Sequence, residues 1–316
     1  MDRRRPPAAV VSERLDDFDR FAAVHSGEGL RVEQLSAGRF VGAYASVRGA
    51  LIRATTLEFN QVIMIRGRAT PGRFAVYAVS PHNADGLWHG RRLDPGRLVV
   101  HGPDSTADHR SARDCRLTEL SVQAEDLALA ALALLRVDVV RAADPWRVIG
   151  PPPDALAAID RATRVMLALG ADPVVLASSE GRQAEEDCLR MFIRAAFPAR
   201  GGPEALDLPL GGRAALARRA EELIRSRLRD PVGMIELCSE LGAGERTLRR
   251  ACLERWGMGP IAYYRSLRLN AARAELKAGA ASVSEVARRW GFHHLGNFAA
   301  DYRRAFAERP SQPARR

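Results

Sequence analysis

Cysteine is scarce. The four in 316 residues (Cys115, Cys188, Cys238 and Cys252) are widely spaced, and none forms a CxxC pair. That excludes a disulfide scaffold and the paired-cysteine zinc sites. It leaves four small apolar side chains suited to a reducing compartment. No apolar run approaches the ~20 residues needed to span a bilayer. Residues 1–7 carry three arginines with no apolar stretch behind them, so they do not read as a signal peptide. The expectation is a cytoplasmic chain with no membrane partner. A phosphate-cradling glycine loop, G-x-S-x-G and H-E-x-x-H are all missing. Gly38-Arg39-Phe40-Val41-Gly42 has the wrong spacing and context for the first of these. With none of these catalytic signatures, the chain reads as no enzyme, with no cofactor.

What is present is ordinary globular composition, 47% apolar and 27% charged. The length suits two domains better than one. The net charge of +10 is unevenly placed. Residues 211–316 hold 21 Lys+Arg against 11 Asp+Glu, while 1–210 hold 27 of each. A basic module of this kind is the footprint of a polyanion binder, and equally the solvated face of an arginine-rich protein.

Along the chain, residues 1–12 read as a disordered lead-in. Residues 13–200 read as a β-rich domain with helices over 125–200. Short apolar runs at 40–47, 62–65, 74–79 and 97–101, bounded by Gly, Pro, Asn and Asp, have the form of strands. An Ala/Leu-dense stretch at 125–135 predicts a helix. After Pro151-Pro152-Pro153, helices are expected over about 154–169 and 180–196. Residues 201–212 read as a linker, and 213–316 as a helical domain. There, Asp230-Pro231 is an expected helix start. Further helices are expected at about 244–256, 260–277 and 294–306. Ser282 and Glu285 form a capping box for one that ends at Trp290-Gly291.

The helical region repeats itself. With Leu241-Gly242 set against Trp290-Gly291, Glu236, Leu237 and Cys238 fall on Glu285, Val286 and Ala287. One extra residue after the second turn brings Leu248, Cys252 and Trp256 onto Phe298, Tyr302 and Phe306. Their i, i+4, i+8 spacing puts each trio on one helix face. Two helices joined by a short glycine turn make a helix-turn-helix. Here there are two, at about 232–256 and 283–306, joined by one long helix.

At this point the sequence resembles the AraC/XylS family of transcription regulators. The matching motifs are Glu245-Arg246-Thr247-Leu248-Arg249-Arg250, Arg268-Leu269-Asn270-Ala271-Ala272-Arg273 and Val286-Ala287-Arg288-Arg289-Trp290-Gly291-Phe292. His294-Leu295-Gly296-Asn297-Phe298-Ala299-Ala300-Asp301-Tyr302-Arg303 completes the set. Together they cover roughly 214–311. Gln34-Leu35-Ser36-Ala37-Gly38-Arg39-Phe40-Val41-Gly42, with His294-Leu295-Gly296 and Pro310-Ser311, resembles the branch of ethanolamine-utilisation regulators. The family resemblance implies an α+β chain: an N-terminal cupin-like β-barrel with a helical dimerisation segment, and a C-terminal all-α DNA-binding domain. It also implies double-stranded DNA and RNA polymerase as partners, a homodimer, transcription activation and a small-molecule effector.

Helix geometry and the resemblance together assign the residues. Arg246 and Arg250 fall at base-reading positions, where arginine bonds a guanine edge bidentately. Asn297 is the corresponding reader in the second unit. Thr247, Arg249, His293, His294, Arg303 and Arg304 are assigned supporting or phosphate contacts. The second unit departs from the family pattern: Ala300 stands where many relatives carry a long basic residue, so it is expected to read more weakly. Ala307 stands where relatives usually have glycine. In the N-terminal domain, Tyr77, Trp88 and His101 are candidates for an effector pocket, or simply core. His82, His89, His101 and His109 include no His-x-His pair of the metal-cupin kind, so no metal is expected. Three functions stay open: an effector-responsive regulator, a regulator whose N-terminal domain binds a protein, and a metal-cupin enzyme fused to a basic module.

Overall fold

The computed structural model describes residues 10–26, 29–68, 72–79, 81–83, 85–103, 105–135, 146–150, 154–197, 211–230, 232–279 and 282–311. Two antiparallel sheets face each other. The larger runs in the order β1 (Val10–Leu15), β3 (Gly42–Arg48), β4 (Ile52–Phe59), β11 (Cys115–Gln123), β6 (Arg73–Ala78), β9 (Leu98–His101) and β12 (Trp146–Ile149). The smaller runs β2 (Leu30–Gln34), β5 (Ile63–Arg68), β10 (Thr106–Arg110), β7 (Leu87–Trp88) and β8 (Arg91–Arg92). Helix α1 (Phe18–Ser26) packs beside β2.

The central strands of the large sheet feed two cores, because successive residues point to opposite faces. Ile52, Ala54, Leu120 and Val122 join one core with α2 (Ala124–Leu135), α3 (Ala155–Leu169), α4 (Pro173–Leu176) and α5 (Ser179–Ala196). Leu57, Phe59, Cys115 and Leu117 point the other way, into a second core shared with Val32, Ile63 and Ile65 of the small sheet. Glu185 of α5, 2% exposed, accepts hydrogen bonds from the backbone N–H groups of Ala50 (3.0 Å) and Leu51 (2.6 Å). That carboxylate ties the helices to the β3–β4 hairpin.

The closed barrel expected from the resemblance is not found among the described residues. The edge strands β1 and β12 of the large sheet do not pair with β2 and β8 of the small one, so two open sheets stack instead. Two boundaries also move. Residues 10–12, expected to be disordered, belong to β1, which pairs with β3 from Val10↔Val47 to Leu15↔Gly42. Gly212, assigned to the linker, opens α6 (Gly212–Ser226). Residues 1–9 and 201–210 lie outside the described residues.

The C-terminal helices follow as α7 (Met234–Leu241), α8 (Glu245–Trp256), α9 (Pro260–Lys277), α10 (Val283–Arg289) and α11 (Leu295–Phe306). Gly233, not Asp230, precedes α7, and Glu236 reaches back to accept from its N–H at 2.9 Å. The Ser282–Glu285 capping box forms in both directions, at 3.2 and 3.3 Å. Gly242 and Gly291, the two turn glycines aligned in the repeat, both adopt left-handed backbone, φ +61° and +70°. Ala307 takes the same conformation after α11, φ +54°. A Cβ there costs about 1–2 kcal/mol. Ala307→Gly should therefore stabilise the chain by about 0.5–1 kcal/mol, after the entropy glycine adds to the unfolded chain. A urea titration that shows no gain would contradict this account of the helix end.

Candidate nucleic-acid interface and inter-sheet cavity

Each helix-turn-helix unit has its own core. Leu248, Cys252 and Trp256 of α8 are at most 1% exposed, and Trp256 stacks on Tyr263 of α9 at 3.8 Å and 11°. Phe298, Tyr302 and Phe306 of α11 are 0–5% exposed in the second core. The two trios matched in the sequence repeat are thus the two inward stripes. The opposite faces are solvent-exposed. On α8 they present Arg246, Thr247, Arg249 and Arg250, and on the second unit His293, His294, Asn297, Arg303 and Arg304.

Their electrostatics differ. Arg249 pairs with Glu245 at 2.7 Å, and Arg250 with Glu254 at 3.2 Å. Glu254 also holds Arg213 at 2.9 Å, and these arginines keep its carboxyl below the usual carboxylate range. Arg304 pairs with Asp301. Exposed i,i+4 pairs are weak and exchange readily for a stronger anion. Arg246 and Arg303 have no carboxylate partner among the described residues. His293, His294 and Asn297 line one open groove with Arg265 of α9 and Gly233 before α7. Arg303 lies in another groove, with Ser282, Ser284 and Arg309. Arg268 pins α9 to the second turn. It donates to the Trp290 carbonyl, and its guanidinium lies 4.9 Å from the Tyr264 ring and 4.7 Å from the Phe292 ring.

Comparison with known proteins gives the family. A family described as "Helix-turn-helix domain" matches residues 237–316. The chain is 34% identical to a solved structure described as "a probable AraC family transcriptional regulator" from Rhodopseudomonas palustris, covering 32% of this chain and 99% of that one at a TM-score of 0.30.

This chain belongs to the AraC/XylS family.

Among curated AraC/XylS relatives, it is 30% identical over 103 residues to the "Probable thc operon regulatory protein" of Rhodococcus erythropolis, covering 32% of this chain and 31% of that protein. It is 33% identical over 100 residues to the "XylDLEGF operon transcriptional activator" of Pseudomonas putida, covering 31% of each. The chain spans about a third of the length of these curated relatives. The match to these proteins falls on the helix-turn-helix region alone. No helix of the described residues is long and apolar enough to cross a membrane.

The docking of this AraC-type domain on the N-terminal domain escaped the sequence reading. The outward face of the small sheet lies against it: Leu35 and Met64 enter the core of the first helix-turn-helix unit. Arg225 of α6 binds Glu33 through two bonds of 2.8 and 2.6 Å and Glu221 at 3.0 Å. Burial works against the Arg225 charge, but Glu33 and Tyr263 hold it above its ordinary pKa. Asp108 of β10 pairs with Arg66 at 3.0 Å and with Arg255 of α8. Burial raises the Asp108 pKa, and the two arginines more than reverse this. At the far end, Arg273 and Lys277 of α9 meet Asp17 and Asp19 at 2.5–3.2 Å, and Arg273 also meets Glu308 at 2.8 Å. Asn270 brackets the Gln34 backbone, accepting from its N–H at 3.0 Å and donating to its carbonyl at 2.9 Å. Gln34 Nε2 and the Gly38 N–H both donate to the Ala305 carbonyl, at 2.9 and 3.1 Å. The segment from Gln34 to Gly38 thus sits against both α9 and the end of α11.

The inward face of the small sheet borders a cavity. Tyr77 (β6), Trp88 (β7) and His101 (β9), the three candidate pocket residues, all line it. Their rings lie 5.3–6.2 Å apart. His109 of β10 also lines it and stacks on Trp88 at 4.0 Å and 13°. Burial pushes His101 and His109 down to about 3, and His89 to about 4. His82 is exposed in a separate groove. Among the described residues no three His, Cys, Asp or Glu side chains are grouped to hold a metal ion.

Proposed function

We propose that this chain is a transcription activator whose DNA binding is controlled by a small-molecule effector in the inter-sheet cavity. The carrying observation is that one sheet separates the cavity from the DNA-binding domain. On β10, His109 turns into the cavity, and its neighbour Asp108 turns out to Arg255 of the recognition helix α8. Successive strand residues face opposite sides. An occupant that shifts β10 therefore moves both. The two open sheets take the sensing role that the resemblance gives to a cupin-like domain.

On DNA, α8 reads bases through Arg246 and Arg250, with Thr247 and Arg249 in support. Asn297 is the weaker reader of the second unit, beside His293 and His294, while Arg303 and Arg304 hold phosphates. Selection of binding sites from random duplexes tests this. A strongly specified half-site beside a weakly specified one supports it, and equal information in both overturns it.

The active form is a homodimer that works with RNA polymerase. The dimer reading rests on α2, whose Leu129 and Leu132 are 71% and 58% exposed while Leu127 and Ala131 are buried. Leu129→Glu with Leu132→Glu should convert a dimer, measured by light scattering at tens of micromolar, to a monomer of unchanged fold. A wild-type monomer at that concentration contradicts the assignment.

A further inference from the structure

The chemistry of the cavity wall narrows what it can hold, given the reading that this domain takes a small molecule. The space is about 60 Å³. That is tighter than the ~150 Å³ that holds a benzene ring, so a single-ring compound enters only as the side-chain walls give way, and an extended chain does not fit.

Charge is balanced. One guanidinium, Arg53, and one carboxylate, Glu119, line the cavity. Arg53 already donates to the Tyr44 hydroxyl at 2.9 Å and to Ser46 Oγ at 3.2 Å. His101 and His109 stay neutral at physiological pH because both are buried. A charged occupant would lose its hydration with no net counter-charge to replace it.

Hydrogen-bonding capacity is left over. Trp88 Nε1, His101 Nε2 and His109 Nε2 are buried on rings that line the cavity, and none has a protein partner. His101 Nδ1 is engaged with Ser105 Oγ at 3.0 Å. The indole N–H can only donate, so it calls for an acceptor. A neutral imidazole Nε2 takes either role, according to its tautomer. The parallel Trp88 and His109 rings add a flat wall suited to a flat molecule.

We propose that the cavity takes a small, planar, uncharged molecule bearing a hydrogen-bond acceptor, with the chemistry of an aryl amide rather than of an aryl carboxylate or an aryl amidine. Benzamide, benzoate and benzamidine share one shape and differ only in charge, so they separate these classes. With the full chain, benzamide should raise the melting temperature and perturb tryptophan fluorescence at millimolar concentration. The other two should bind at least tenfold more weakly. Trp88→Phe, which keeps a flat aromatic ring and removes the N–H, should weaken benzamide about fivefold or more. Ala107→Leu, which adds bulk to the cavity wall from β10, should abolish its binding and serves where the tryptophan variant fails to fold.

Benzoate or benzamidine binding as tightly as benzamide, and lost in Ala107→Leu, overturns the ligand class and leaves the effector reading standing. No response to any of the three overturns the class as well. The effector reading then falls with it if Ala107→Leu leaves regulation of a reporter gene unchanged.

Discussion

Acid should destabilise this protein well before its carboxylates titrate. His101 and His109 are 2% and 3% exposed, and burial holds their folded pKa values at about 3 against 6.5 for an exposed imidazole. Between those values the unfolded chain binds protons that the folded chain refuses. Stability is therefore complete above about pH 6.5 and is lost as pH falls toward 3. Each unit costs about 1.4 kcal/mol per histidine. From pH 6 to pH 5 the pair removes about 2–3 kcal/mol, a large share of a typical 5–15 kcal/mol. Urea midpoints at pH 7, 6 and 5 measure this directly. His109→Phe, which keeps a ring against Trp88, should lower the slope by about a third, because His89, held at about 4, contributes as well. A midpoint at pH 5 equal to that at pH 7 contradicts the buried neutral histidines.

DNA affinity should collapse with salt, and the arginines should divide into two kinds. With about six phosphates neutralised, raising salt from 50 to 200 mM weakens binding roughly 10³-fold. Arg246→Ala removes an exposed guanidinium with no carboxylate partner among the described residues. It should cost about 1–3 kcal/mol at one or two base pairs and relax preference there. Arg303→Ala should weaken all sequences alike and lower the salt slope by about 0.9. Titrations of matched and mismatched duplexes at three salt concentrations distinguish the two. If Arg246→Ala leaves base preference intact, α8 does not read the groove through that residue.

The docked state qualifies the simplest reading of the charge. The whole +10 lies in residues 211–316, yet Arg225, Arg255, Arg273 and Lys277 are turned onto N-terminal carboxylates rather than toward DNA. Composition counts those charges without assigning them a side. Salt that weakens phosphate contacts reaches these buried pairs much less, because little solvent surrounds them.

What was legible in the sequence was local. The helices of both helix-turn-helix units follow from 3.6-residue periodicity, the Ser282 cap and the turn glycines, all set by neighbours within about one turn. The exposed faces carrying Arg246, Arg250 and Asn297 follow from that same periodicity. The strands at 42–48, 63–68, 73–78 and 98–101 announced themselves by short apolar runs between breakers. Helix α1 carried no signal strong enough to separate it from the segment before β2.

The sequence by itself determined the family, the repeat and which helical faces are wet, because each depends on spacing along the chain. Only the tertiary structure decided that Tyr77, Trp88 and His101 share a cavity, and that the sheets stack without closing. It alone decided that Glu33 meets Arg225, that Asp17 meets Lys277 and that Gln34 meets Asn270, across 192, 260 and 236 residues. No local pattern encodes such pairs. A buried charge can be recognised as affordable only once its partner is known, and that partner is chosen by how two separately folded cores fit together.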